Sequence, residues 1–112
     1  MLKDQILNAH DIKTEAVEVP EWGTTVFVRT FSGADRAKLM ELHKQHADNP
    51  AELNTHLVLM AASDEKGNPI FTGDDYDRLN GKSGVAIDRV AIAALKLNGL
   101  DSESVDDAKN CS

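Results

Sequence analysis

Four histidines, scattered carboxylates, one Gly-Lys-Ser triplet and a single cysteine are what this 112-residue chain offers for chemistry. His43 and His46 stand three apart, a spacing that sets both imidazoles on one face of a helix. A zinc ion would need a third or fourth ligand from histidine, cysteine or carboxylate. His56 belongs to the next helical stretch, and spacing alone does not bring it to the first two. Two surface histidines are the simpler reading, and His10 reads as a connector residue.

The run Asp64-Glu65-Lys66-Gly67-Asn68 has the outline of a calcium loop, but its third position is Lys66, a cation where an oxygen ligand is required. Asp74, Asp75 and Asp77 crowd the start of a short helical stretch, where carboxylates complement the positive helix end. Acid–base work would need two such groups in one cleft with separated pKa values. Nothing in the pattern demands that. Gly81-Lys82-Ser83-Gly84 contains the triplet of phosphate-binding loops, yet Tyr76 stands where the loop requires its earlier glycine. The segment reads as a helix stop followed by a cap. Cys111 would need an activating base and a fixed geometry to act as a nucleophile, and a frayed polar tail supplies neither. The residue types point to no catalytic set, no cofactor and no metal.

Nineteen acidic against twelve basic side chains give a formal charge of −7. Lys and Arg never form a run, so the basic face that neutralises phosphates is missing and nucleic acid is not an expected partner. The length suits one domain of ~100–150 residues. With aromatic content at 4%, the core must be built from Leu, Val, Ile, Met and Ala. One cysteine fits a reducing compartment. The amino-terminal MLKDQILNAHD is too polar for a signal peptide, and no stretch approaches ~18 apolar residues. The expectation is a soluble intracellular protein with no membrane partner. Residues 1–100 are read as one α+β domain and residues 101–112 as a frayed polar tail.

The positioning elements follow from periodicity and caps. Leu2, Ile6 and Leu7 predict a short helix over residues 2–9. Val17 and Val19 alternate with Glu18 as in a half-buried strand, and Pro20-Glu21-Trp22-Gly23 makes a turn. Thr24 to Phe31 is β-branched and aromatic, with Val26 and Val28 on one face and Phe27, Arg29 and Phe31 on the other. Apolar content on both faces leaves one available to another subunit. Trp22 either folds back on the core or stands as an exposed anchor of the kind that dominates interfaces.

Ser32 caps a helix reaching Ala47, expected to bury Leu39, Met40 and His43 or their neighbours. Asn49-Pro50-Ala51-Glu52 starts the next helix, whose stripe is Leu53, Leu57, Met60 and Ala61. Asp64 to Asn68 is a turn, Ile70-Phe71 an extended link, and Thr72 caps a brief helix over residues 73–79. The strongest helix spans residues 83–98 on Ile87, Val90, Ala91, Ala94 and Leu97, and Gly99 ends it. The fold class is α+β: one amino-terminal β-hairpin packed on about four helices.

This order of features resembles the tail assembly chaperones of long-tailed bacteriophages. The resemblance rests on a short helix followed by Val17-Glu18-Val19-Pro20-Glu21-Trp22-Gly23 and Val26-Phe27-Val28-Arg29, then Phe31-Ser32-Gly33-Ala34-Asp35-Arg36. It continues through the apolar helix and acidic turn of residues 57–68, the Pro69-Ile70-Phe71 step and residues 75–97. It covers residues 2–110 and contains structural residues with no catalytic signature. The resemblance implies a non-enzymatic protein of the host cytoplasm that coats the tape measure protein, keeps it soluble, recruits tail tube subunits and is absent from the virion.

It also implies a homo-oligomer and, in many members, a longer product made by ribosomal frameshifting. Ala108-Lys109-Asn110 is compatible with a slippery adenine run. Trp22, Phe27 and Phe31 are the partner-binding candidates. The rival readings are a tail-completion or tube-associated structural protein, and a small enzyme or metal-dependent regulator using His43, His46 and His56.

Overall fold

Val17, Val19, Val26 and Val28 share one face of a hairpin, and helix packing builds the core against that face. The computed structural model of the protein describes residues 1–100; the sequence-based expectations for residues 101–112, Cys111 among them, lie outside those residues. Strands β1 (Thr14–Val19) and β2 (Thr24–Arg29) pair antiparallel, with Val17 opposite Val26 and Val19 opposite Thr24. Pro20–Trp22 forms a single 3-10 turn closed by Gly23, whose N–H donates to the Pro20 carbonyl at 3.0 Å. Gly23 sits at φ 64, left-handed backbone that a side chain would strain.

A third strand, β3 (Ala62–Ser63), pairs antiparallel with β2 and completes the sheet order β1-β2-β3. The sequence reading missed it, because two residues carry no period and the apolar run of the preceding helix extends straight into them.

Helix α1 (Leu2–Leu7) precedes the hairpin and buries no residue. Helix α2 (Gly33–Gln45) opens with a reciprocal capping box: Ser32 Oγ accepts from Asp35 N–H and Asp35 Oδ2 accepts from Ser32 N–H, each at 3.2 Å. Only Leu42 of this helix is buried. The expectation that α2 buries Met40 and His43 is corrected: both are exposed, while Leu39 is half-buried. One apolar position per turn suffices because α2 covers the edge of the core and not its centre.

The centre belongs to α3 (Pro50–Ala61) and α5 (Gly84–Leu97), which pack on each other, with α5 also lying on the hairpin. Leu57, Val58 and Ala61 of α3 meet Ile87, Val90, Ala91 and Ala94 of α5 in one apolar cluster. Asn49 and Ser83 cap these helices by accepting from Glu52 N–H and Ala86 N–H, both at 3.3 Å. Gly99, at φ 68, ends α5, and Leu100 N–H reaches back to the Leu95 carbonyl at 2.8 Å. Between them, the 3-10 turn Gly73–Asp75 leads into α4 (Tyr76–Asn80). Leu79 is its buried residue, and Asn80 Oδ1 accepts from the Thr55 hydroxyl at 2.9 Å.

Phe31 departs from the expected face. Strand β2 ends at Arg29, so the alternation of faces no longer applies two residues later. Phe31 N–H is drawn to Asn98 Oδ1 at 2.7 Å, and the ring enters the core at 9% exposure. Among the described residues no helix is long and apolar enough to cross a membrane.

Candidate partner-binding surface

The residues with chemical potential are used for structure. His46 and His56 stack with ring centroids 4.7 Å apart, and His56 stacks on Tyr76 at 4.4 Å. His46 Nδ1 lies 3.0 Å from Glu52 Oε2. Burial first, then the positive fields of His46 and Lys38, holds the His56 pKa below its usual value against the pull of Glu52. Burial, with Glu52 and Asp77 nearby, raises that of Tyr76. Imidazole lone pairs lie in the ring plane, so rings set face to face do not aim their nitrogens at a common point. His43 is exposed and lines a different groove. Among the described residues, no group of three or more His, Cys, Asp or Glu is placed to hold a metal.

The acidic turn resolves in the same way. Asp64 Oδ1 accepts from Lys66 N–H at 2.9 Å and Asn68 N–H at 3.0 Å, and Oδ2 accepts from the Asn68 amide at 3.2 Å. These bonds, led by that from the Asn68 backbone, hold its carboxyl below the ordinary range. The carboxylate closes its own turn. Asp75 Oδ2 accepts from Thr72 N–H at 2.8 Å, a helix-start bond. Ser83 of the Gly-Lys-Ser triplet caps α5.

Two polar residues matter more than sequence reading allowed. Arg29, from the outer face of β2, sends Nε to the Met60 carbonyl at 3.2 Å and Nη1 to Asp35 Oδ2 at 3.0 Å. One guanidinium so ties the sheet to the end of α3 and the start of α2. Asn98 accepts from Phe31 N–H and donates to the carbonyls of Arg29 at 3.2 Å and Ala94 at 2.9 Å. Each makes a bond to a residue tens of positions away, Arg29 to Met60 and Asn98 to Phe31, a distance over which no local pattern operates. A third link pairs Arg89 with Glu21, and lowers the Glu21 pKa.

The surface also carries apolar side chains. Trp22 is half-buried against the core, its indole N–H enclosed without an acceptor. Its ring forms one wall of a groove with Ile70, Phe71 and Leu79, flanked by Arg78 and Lys82. Neither cation is ion-paired among the described residues. Phe27 is half-buried on the outer sheet face, opposite Ala16 and Ser63. The structure does not bring Trp22, Phe27 and Phe31 into one patch: Phe31 belongs to the core.

A helical layer on a short antiparallel sheet, with apolar grooves among its exposed features, makes this a small α+β domain. Residues 1–110 match the family model described as phage tail assembly chaperone, and the chain belongs to that family. Its fold is similar to that of the tail assembly chaperone of bacteriophage HK97, with a TM-score of 0.63 at 23% sequence identity, over 86% of this chain and 96% of that chain. At that identity the likeness is one of fold. No curated protein sequence matches the chain.

Proposed function

We propose that the protein coats the tape measure protein during tail assembly, keeps it soluble in the host cytoplasm, helps recruit tail tube subunits and leaves before the virion is complete. The observation that supports this reading most directly is apolar surface kept outside the core. Met40, Ile70, Val85 and Ile92 are each half or more exposed, on a chain that carries a net charge of −7. Apolar patches cover an apolar client, and the excess of carboxylates keeps the coated complex dispersed.

Trp22 with its groove and Phe27 on the sheet are the client-facing residues in this reading. Phe31 acts only by supporting them from below. Each contact is weak, and many copies along one elongated client raise total occupancy through multivalency. Weak single contacts also let tube subunits displace the coat. A homo-oligomer and a longer frameshifted form of the chain belong to the same scheme.

Co-expression with the tape measure protein tests it. The client should move from the pellet to the supernatant with the chaperone bound, and Trp22→Ala should reduce that rescue severalfold without lowering expression. A client that stays insoluble, or is soluble with no chaperone attached, removes the reading.

A further inference from the structure

One edge of the sheet is closed and the other is open. Outside β3, Ser63 bridges to Pro69, and Ile70 N–H donates to the Ala62 carbonyl at 3.3 Å. β1 ends the strand order, and among the described residues no strand pairs with its outer side. The register assigns the polar groups there. Thr30 N–H donates to the Lys13 carbonyl at 2.8 Å, so in this antiparallel ladder the odd-numbered residues of β1 bond to β2. The N–H and C=O of Thr14, Ala16 and Glu18 therefore point away from the sheet. β1 runs for six residues in unbroken register, with no lysine or proline to blunt it. Such an edge is a template for one more strand.

The side chains of β1 define what that strand must be. Residues facing each other across a ladder share a face and interact as pairs. Glu15 and Glu18 are exposed and, three positions apart, fall on opposite faces. Val17, half-buried, lies on the inner face. Ala16, small and exposed, lies on the outer face beside the half-buried Phe27. A matching strand carries basic residues opposite the two glutamates. Opposite Val17 it carries an apolar residue, and opposite Ala16 a larger one that extends towards Phe27.

We propose that the outer edge of β1 captures, by backbone pairing, an extended segment of a partner polypeptide that has two basic residues three apart and apolar residues between them. A second copy does not fit. Among the twelve Lys and Arg of this chain no two stand three apart. Pairing two such edges would also bring Glu15 and Glu18 of both copies into one short ladder. Backbone bonds alone accept any strand, so the glutamates supply the selection, repelling acidic segments and favouring basic ones. The net charge of −7 adds attraction at longer range. The site goes beyond the coat reading and stands without it, since it uses neither the Trp22 groove nor Met40. A six-residue edge covers much less than the ~1,200 Å² of stable interfaces, so capture is weak and reversible.

NMR titration of the full chain with the capped peptide Thr-Lys-Val-Leu-Lys-Thr tests this. The comparison peptide has glutamate at both lysine positions. At saturating basic peptide, amide exchange should slow about tenfold at Thr14, Ala16 and Glu18, whose N–H groups gain partners. Exchange at Glu15 and Val17, already bonded to β2, should stay as it was. The glutamate peptide should bind at least about tenfold more weakly, and E15K/E18K should reverse the preference. Both positions are exposed, so the melt of that variant should match the parent.

Should the variant melt early, the parent decides through the peptide backbone. A methyl on the leucine nitrogen, which faces β1 in antiparallel pairing, should abolish binding, and one on the valine nitrogen should not. No binding at millimolar peptide, shifts confined to another surface, or equal affinity for both peptides overturns the proposal. So does protection of Thr14, Ala16 and Glu18 that grows with protein concentration alone, which would make a second copy the occupant. Client solubility is measured separately, so the coat reading and the strand edge can fail independently.

Discussion

Asn98 shows how a single side chain can hold a fold together without leaving a trace in the local sequence. It sits just past α5 and satisfies the N–H of the buried Phe31, the carbonyl of Arg29 and the carbonyl of Ala94. Replacing it with alanine strands a buried N–H and takes the side-chain donor from the Arg29 carbonyl, while the Ala94 carbonyl keeps the backbone N–H of residue 98; about 2–3 kcal/mol is the expected loss. Denaturant unfolding of Asn98→Ala should show a lower midpoint at unchanged slope. Asn98→Asp should not rescue it: the acceptor for Phe31 survives, but a negative charge now faces two carbonyl oxygens. Sequence reading named Asn98 only as the end of a helix, because its partners lie 67 and 69 positions away. The same limit explains Phe31. Alternation is a property of paired backbone, and the residue after the last ladder position is set by whatever tertiary bond reaches it first. Ser32 and Asp35, by contrast, were legible, since a capping box is complete within four residues.

At the scale of elements, every helix was readable as an element, but the buried face was readable only in those that carry the core. α5 repeats apolar residues at every turn and packs with α3, so period and burial agree. α2 has one buried residue, and there period misassigned Met40. α1 is the limiting case, and its removal is a test of how separate it is. Deleting residues 1–8 leaves Ile12 and Thr14, which approach Gly67, in place. Surface changes of this kind stay within about 0.5 kcal/mol, so the melting temperature of dilute protein should shift by less than about 4 °C. A larger fall in calorimetry would mean that α1 supports its own body.

The junction of α2, α3 and α4 supplies a second test, through the His46–His56–Tyr76 stack. Folding lowers the His56 pKa below its ordinary value of 6.5, so the unfolded chain binds this proton more readily than the folded one. Its contribution is present above the unfolded value and is lost as pH falls through it, levelling once pH is below the folded value. Urea midpoints should therefore decline as pH falls below about 6.5, ahead of general carboxylate protonation. His56→Phe keeps a ring between His46 and Tyr76 and removes the proton, so its midpoint should vary less over that window. Equal decline in both proteins would assign the effect elsewhere.

The whole molecule is a compromise between charge and apolar surface, and salt separates the two. Any array of copies must bring chains of −7 side by side, a repulsion that acts over the Debye length. That length shrinks from about 10 Å at 0.1 M salt to about 3 Å at 1 M. The exposed side chains available for such contacts, Met40, Ile70, Val85 and Ile92, carry no charge, and exposed ion pairs around them would contribute at most about 1 kcal/mol. Apolar contact is not weakened by salt, whereas repulsion is screened, so the balance moves one way. Raising sodium chloride across that range should increase the weight-average size seen in sedimentation, by more at low protein concentration, where association is incomplete. An assembly held by ion pairs would shrink instead. The direction of the salt response therefore reports which force joins the copies, independently of which residues are mutated.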